Sequence, residues 1–333
     1  MRKCGIIVVS LAFLCIVVRG GAPAGVNRAS TGDPVVTQVT APPAAPSPSA
    51  TAGFDGAKAF EHVRQLVNIG PRPPGSEEIH RAQAYIVAQL KSYGCQVEEH
   101  DFHASTPVGE VAMKNIVAKI AGTGSGIVLY STHYDTLRMA NFVGADDGGS
   151  GTGTMLELAR LFCGGKTKNV LNVWIAFFDG EEAQDNWTDK NSVRWTNENS
   201  TFGSREMAAS MALSGDLKWL KAMILADMIG PSDLKIKRDS GSTTWLVNLI
   251  WATAKQLGYQ NVFVNETYAV GGDDHFSFIR RGVAACDIID LSDVENTYWH
   301  TPQDTLDKVN PRSLAIVGHV FIATLPALEK KLQ

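Results

Sequence analysis

The spacing of apolar positions predicts most of the elements. From Phe54 to Ile69 apolar residues recur with helical period, and Pro71, Pro73 and Pro74 end the segment. Ser76 with Glu77 and Glu78 marks the start of a second helix, which runs to about Tyr93 and stops at Gly94. Residues 96–102 and 111–121 alternate enough to be strands, and 126–132 is a short β-branched run that leads into His133-Tyr134-Asp135. A glycine-rich loop over 144–153 is expected to open a helix from Thr154 to Phe162. Val170–Phe178 is an apolar run broken only by Asn172, the pattern of a strand buried on both faces, and Ala222–Ala226 repeats it before Asp227. A helix over Thr243–Leu257, a short helix after Asp273, a strand over Val283–Asp290 and a terminal helix from Pro311 complete the reading. Buried strands alternating with helices predict an α/β fold. We expect a single globular domain whose central twisted, mixed and largely parallel sheet carries helices on both faces. In open sheets of this kind ligands bind beyond the carboxyl ends of the strands. Polar residues collect at those ends: His133 and Asp135, Glu181 and Glu182, Asp227, and Asp287 with Asp290.

The first 53 residues follow other rules. Arg2 and Lys3 precede an apolar run from Gly5 to Val18 and a small-residue exit through Ala24, which reads as a secretory signal over 1–24. The run is shorter than the ~20 residues of a membrane span, the alternative being an uncleaved N-terminal anchor. Residues 25–53, rich in Ala, Pro, Ser and Thr, read as a flexible linker, leaving 54–333 as the catalytic domain. A secreted or periplasmic location is expected. The whole chain of 333 residues is 44% hydrophobic, with net charge −4 and pI about 6.1, which excludes disorder throughout and shows no electrostatic footprint for nucleic acid. Outside the signal the cysteines are Cys95, Cys163 and Cys286, with no metal-like spacing; one disulfide at most is possible, and three buried thiols are expected.

Five acidic or histidine clusters follow buried segments: His133-Tyr134-Asp135, Asp146-Asp147, Asp179-Gly180-Glu181-Glu182, Asp227, and Trp299-His300-Thr301. Asp, Glu and His without Cys suit a zinc ion with an open catalytic position. Taken singly, each has a bland reading: paired carboxylates often cap the next helix, and a lone histidine is often a hydrogen-bonded core residue. Five such clusters at successive element ends point to one site.

These residues carry a resemblance. Ser131-Thr-His-Tyr-Asp135, Val143-Gly-Ala-Asp-Asp-Gly-Gly-Ser-Gly151, Phe177-Phe-Asp-Gly-Glu-Glu182, Asp227, Asp274-His275 and His300-Thr-Pro-Gln-Asp304 together resemble the zinc-dependent exopeptidase family that contains bacterial aminopeptidases. The resemblance runs from about Phe54 to the end. Within that family, the aminopeptidase branch implies two zinc ions, the second on His133 and Asp227 with Asp147 bridging. The animal-type glutaminyl-peptide cyclotransferase branch implies one zinc per chain, on Asp147, Glu182 and His300. Trp187 after Glu182, Asp227-Met-Ile-Gly230, Asp273-Asp274-His275, Arg280-Arg281-Gly282-Val283 and Trp299 before His300 are similar to the cyclotransferase branch. Peptidases usually carry Ser where Asp273 stands. Asp287 departs from that branch, which has a histidine there, and the cysteine before its His-Tyr-Asp is absent.

The implied reaction is cyclisation of an N-terminal glutamine to pyroglutamate with release of ammonia. Glu181 is the expected proton shuttle, because neighbouring carboxylates point different ways and Glu182 is then free to bind metal. Asp227 and Asp273 are expected to form an acidic pair that orients the substrate amine. Trp187 and Trp299 are expected as walls of a small pocket, while for Trp195 function and packing weigh evenly. The loop over 184–201 reads as a lid or rim. Asn186, Asn199 and Asn265 begin glycosylation-type triplets. The expected partners are peptides or proteins with N-terminal Gln, without nucleic acid or stable membrane association, and the chain is expected to be a monomer. The competing readings are a secreted aminopeptidase of the same family and an inactive binding module.

Overall fold

A computed structural model describes residues 44–165, 169–185, 195–196, 198–291 and 298–332. The expected signal and most of the linker lie outside them, as do Asn186 and Trp187.

Six strands form the main sheet: β1 Gln96–Thr106, β2 Gly109–Ile120, β3 Ile127–His133, β4 Asn172–Phe178, β5 Leu220–Asp227 and β8 Ala285–Ile289. Their order is β1-β2-β4-β3-β5-β8, with β4, β3, β5 and β8 parallel and β1 and β2 antiparallel at one side. The mixed, mostly parallel sheet agrees with the sequence reading. Alternation on β3 sends Val128 and Tyr130 to one face and Ile127 and Leu129 to the other, so apolar clusters form on both faces. One face meets α1 Gly56–Ile69, α2 Glu77–Ser92, α3 Gly149–Gly164, α5 Thr244–Gln256 and α7 Pro311–Leu332. The other meets α4 Phe202–Ser214 and α6 His275–Ile279. Helix α7 is long and apolar enough to cross a membrane, yet its apolar residues are buried in the first cluster, so it is a core helix here.

Several expectations are corrected. Helix α3 starts at Gly149 rather than Thr154, inside the glycine run. It must, because the helix crowds the strand ends: a Cβ on Gly151 would collide with Thr132 and the Ala226 carbonyl. Helix α4 is absent from the sequence reading, as is the small parallel sheet of β6 Ile236–Asp239 and β7 Phe263–Tyr268. At the end of the expected linker Pro48–Thr51 is a 3-10 turn, and buried Thr51 donates its hydroxyl to the Phe54 carbonyl. Cys95 and Cys163 form a disulfide across 68 residues, and among the described residues Cys286 alone is a buried thiol. Packing of α2 and α3 brings the end of the α2 turn against the last turn of α3, a proximity that spacing along the chain cannot reveal.

Candidate active site

The carboxyl ends of the parallel strands deliver the acidic clusters to one place. His133 ends β3, Glu181 and Glu182 follow β4, Asp227 ends β5, and Asp147 precedes α3. Asp135 binds this assembly together, its two carboxylate oxygens each accepting a backbone N–H, from Glu181 and Glu182, at 3.2 Å. Asp304 does the same for the other loop, accepting from the Asp146 and Asp147 N–H groups at 2.8 and 3.0 Å.

Asp147 sits at the centre. Its Oδ2 faces His300 Nε2 at 3.2 Å, and that nitrogen is 3.3 Å from Glu182 Oε2. Its Oδ1 faces His133 Nε2 at 3.2 Å, and that nitrogen is 3.1 Å from Asp227 Oδ1. All five side chains are buried. Asp147 Oδ2 and both Glu182 oxygens lack a bond of hydrogen-bonding geometry, as does His300 Nδ1. In a tetrahedral zinc site with bonds near 2.0–2.1 Å, adjacent ligand atoms lie ~3.3 Å apart. The Asp147, Glu182 and His300 donors therefore fit a zinc ion in both chemistry and spacing. The donors of His133, Asp147 and Asp227 also converge.

The electrostatics follow from burial and crowding. For His300, burial acts downward, but the Glu182 and Asp147 carboxylates outweigh it and lift its pKa to about 9. Burial pushes the Glu182 carboxyl up to about 7. Asp147 resists the same effect, since the facing His133 and His300 imidazoles hold it below the usual carboxylate range. Glu181 is raised well above that range, first by burial and then by Asp273, Glu182 and Asp274. Asp227 rises to about 6, mainly through burial, with Asp147 and Asp273 adding to it.

Asp273 lines the same cavity as Glu181 and Asp227. It also has a neighbour the sequence reading did not give it: donor atoms of Asp273, His275 and Asp287 all lie within 4.8 Å of one another. His275 Nε2 faces Asp239 at 3.2 Å on its other side. Asp287 therefore stands against Asp273, where the cyclotransferase branch has a histidine.

Trp299 stacks on the His300 ring at 3.9 Å, and Trp195 stacks on the same ring at 4.9 Å. Trp195 is accordingly a wall of the site. His300 adopts φ 50° and Met228, next to Asp227, φ 42°, conformations that cost energy for residues with a side chain and concentrate at functional sites. A cavity of 380 Å³ opens over Asp147, Glu181, Glu182, Asp273, Trp299 and His300.

Arg72 escaped the sequence reading, which took Pro71-Arg72-Pro73-Pro74 only as a helix stop. It is fully buried and donates to the carbonyls of Tyr134, Val143 and Gly144, tying together the loops that carry Asp135 and Asp147. Burial lowers its pKa to about 10, so it stays cationic beside Asp135, Asp304, Asp147 and Glu182. Asp146 was also read without a role. It accepts from the Tyr298 hydroxyl and from Gly230 N–H, linking the β5 turn to the segment before His300. A buried arginine held only by carbonyls leaves no signal in sequence. Of the glycosylation-type triplets, Asn199 is buried and accepts from Thr196, whereas Asn265 is exposed on β7.

The chain belongs to peptidase family M28, whose model matches residues 115–325. Among its relatives is the glutaminyl-peptide cyclotransferase of Drosophila melanogaster, 26% identical over 78% of this chain and 79% of that one. A crystal structure of Acidobacteriales bacterium glutaminyl cyclase is 35% identical, with TM-score 0.76 over 84% of this chain and 96% of that one. A Zn-dependent exopeptidase from Parabacteroides distasonis is 25% identical, with TM-score 0.73 over 83% and 98%.

Proposed function

We propose that this protein is a glutaminyl-peptide cyclotransferase, converting the N-terminal glutamine of peptides or proteins to pyroglutamate. The observation that carries the reading is Asp273: a third carboxylate beside Glu181 and Asp227, where peptidases of the family usually have Ser. The relatives named glutaminyl cyclase support it.

Asp147, Glu182 and His300 are the proposed ligands of one zinc ion, which when bound would polarise the side-chain amide and stabilise the oxyanion. Glu181 takes a proton from the α-amine as its nitrogen bonds to the side-chain carbonyl carbon. It returns that proton to the amide nitrogen as the C–N bond breaks, and ammonia leaves. No water is consumed. A buried carboxyl with a raised proton affinity suits a group that must accept and return one proton. Asp227 and Asp273 hold the amine in line, and Trp299 and Trp195 enclose the compact conformer that closes the ring.

A helix cap is the bland alternative for Asp273. Its side chain accepts from Asp274 N–H, and α6 has no side-chain cap bond at its N-cap, Asp274. Asp273→Asn and Asp273→Ser therefore test the reading, since both residues cap helices well. Both variants should fold and bind zinc but lose most conversion of a Gln-initiated peptide, followed by mass spectrometry as loss of ammonia. Turnover at the parent rate in both removes Asp273 from the chemistry.

The second reading, a two-zinc aminopeptidase, draws on the converging donors of His133, Asp147 and Asp227. Release of a whole residue from the same peptide, with two tightly held zinc ions per chain, would establish it. The Cys95–Cys163 disulfide supports an exported location, because disulfides persist in oxidising compartments.

A further inference from the structure

The cavity holds more room than one glutaminyl residue takes, and its two ends differ in chemistry. The inner end is the carboxylate and histidine cluster. The outer end is apolar, formed by Tyr268, Val270, Ile289 and Leu291, and the same four residues border a smaller cavity beyond it that also meets Lys237 and Asp239 of β6. Tyr268 ends β7 and is 43% exposed, an aromatic ring left open to solvent at the mouth of a catalytic cavity. Between it and Asp273 lie Gly271 and Gly272, both exposed, where an added Cβ would meet nothing within 4 Å. That stretch is a bare floor over which another backbone can pass.

The chemistry fixes what passes there. The α-carbon of the first residue carries both the amine and the carbonyl that leads to residue two. With the amine held at Asp273, a route open to the carbonyl within the same cavity runs past Gly272 and Gly271 toward Tyr268. We propose that Tyr268, Val270, Ile289 and Leu291 form a subsite for the second residue of the substrate, selecting an apolar or aromatic side chain there. The inference rests on the cyclotransferase reading.

The test compares kcat/KM for Gln-Phe-Ala-amide and Gln-Gly-Ala-amide with the parent protein and with Tyr268→Ala and Leu291→Ala. An apolar pocket of this size discriminates at least about tenfold. The parent should favour the Phe peptide by that factor, and the ratio should fall toward one in both variants. Tyr268 is half-exposed, so its truncation leaves the fold intact, and the ratio is internally controlled for the amount of active protein. Conversion of both peptides with equal kcat/KM in the parent overturns the subsite and leaves the cyclotransferase reading standing. A parent preference that both variants retain also overturns it. Failure of the parent to cyclise either peptide overturns the reading itself, and the subsite with it.

Discussion

Two buried histidines show how differently the molecule treats its polar groups. His62, on α1, has both ring nitrogens satisfied, Nδ1 by the Tyr85 hydroxyl at 2.6 Å and Nε2 by the Tyr93 hydroxyl at 3.0 Å. Burial, with Arg160 nearby, lowers its pKa to about 4, so it is a neutral packing residue. His300 is as buried, but it faces two carboxylates, its pKa is lifted to about 9, and its backbone is held at φ 50°. Near His62 the neighbouring charge is also matched: Glu157 binds Arg160 and accepts from Asp55 N–H. Around His300, buried oxygens and nitrogens are left unpaired. Since an unpaired buried polar atom costs ~1–3 kcal/mol, such groups persist where a ligand completes them. The helical layer is therefore arranged for stability, and the strand ends for chemistry.

Four measurements sharpen or break this contrast, beginning with the largest effect. Stripping metal with a heterocyclic chelator should abolish turnover, and zinc, but not calcium, should restore it while raising the melting temperature. Turnover that survives full removal of metal would detach the His300 cluster from metal binding. Glu181→Gln keeps size and packing but cannot accept a proton, so turnover should fall by about 10² or more with zinc content unchanged. A near-normal rate in that variant would take Glu181 out of the mechanism.

The helical side should respond in stability alone. The disulfide closes a loop spanning 68 residues, for which the chain-entropy relation gives ~4 kcal/mol. Replacing both Cys95 and Cys163 by Ala should lower the denaturant midpoint accordingly, with zinc affinity unaltered. A large loss of zinc affinity would show that the two regions are not independent. The smallest effect is the titration of His62. Its folded pKa of about 4 lies below the unfolded value of 6.5, so the unfolded chain takes up the proton first. The stability present above pH 6.5 is then lost as pH falls toward 4, by at most about 3 kcal/mol. In His62→Gln that component of the pH dependence should vanish, and an unchanged slope in denaturation curves would refute the neutral assignment.

The sequence by itself determined the six strands of the main sheet and every α-helix but α4, in their order, because buried runs and capping residues are local signals. It also brought forward nearly all the acidic and histidine groups of the site, since in a parallel sheet each is delivered by the end of its own strand. Trp187 belongs to that reading but lies outside the described residues. Helix α4 was missed because Phe202–Ser214, with its Gly, Ser and Ala positions, has no strong apolar stripe. What the tertiary structure decided was partnership. Asp135 with the N–H groups of Glu181 and Glu182, Arg72 with three loop carbonyls, Asp287 against Asp273, and Cys95 with Cys163 join residues far apart in sequence or on different elements. Local propensity places a side chain on an element, but only the packing of elements sets which buried polar atom meets which. A buried polar group must find its partner within about 3 Å or remain without one.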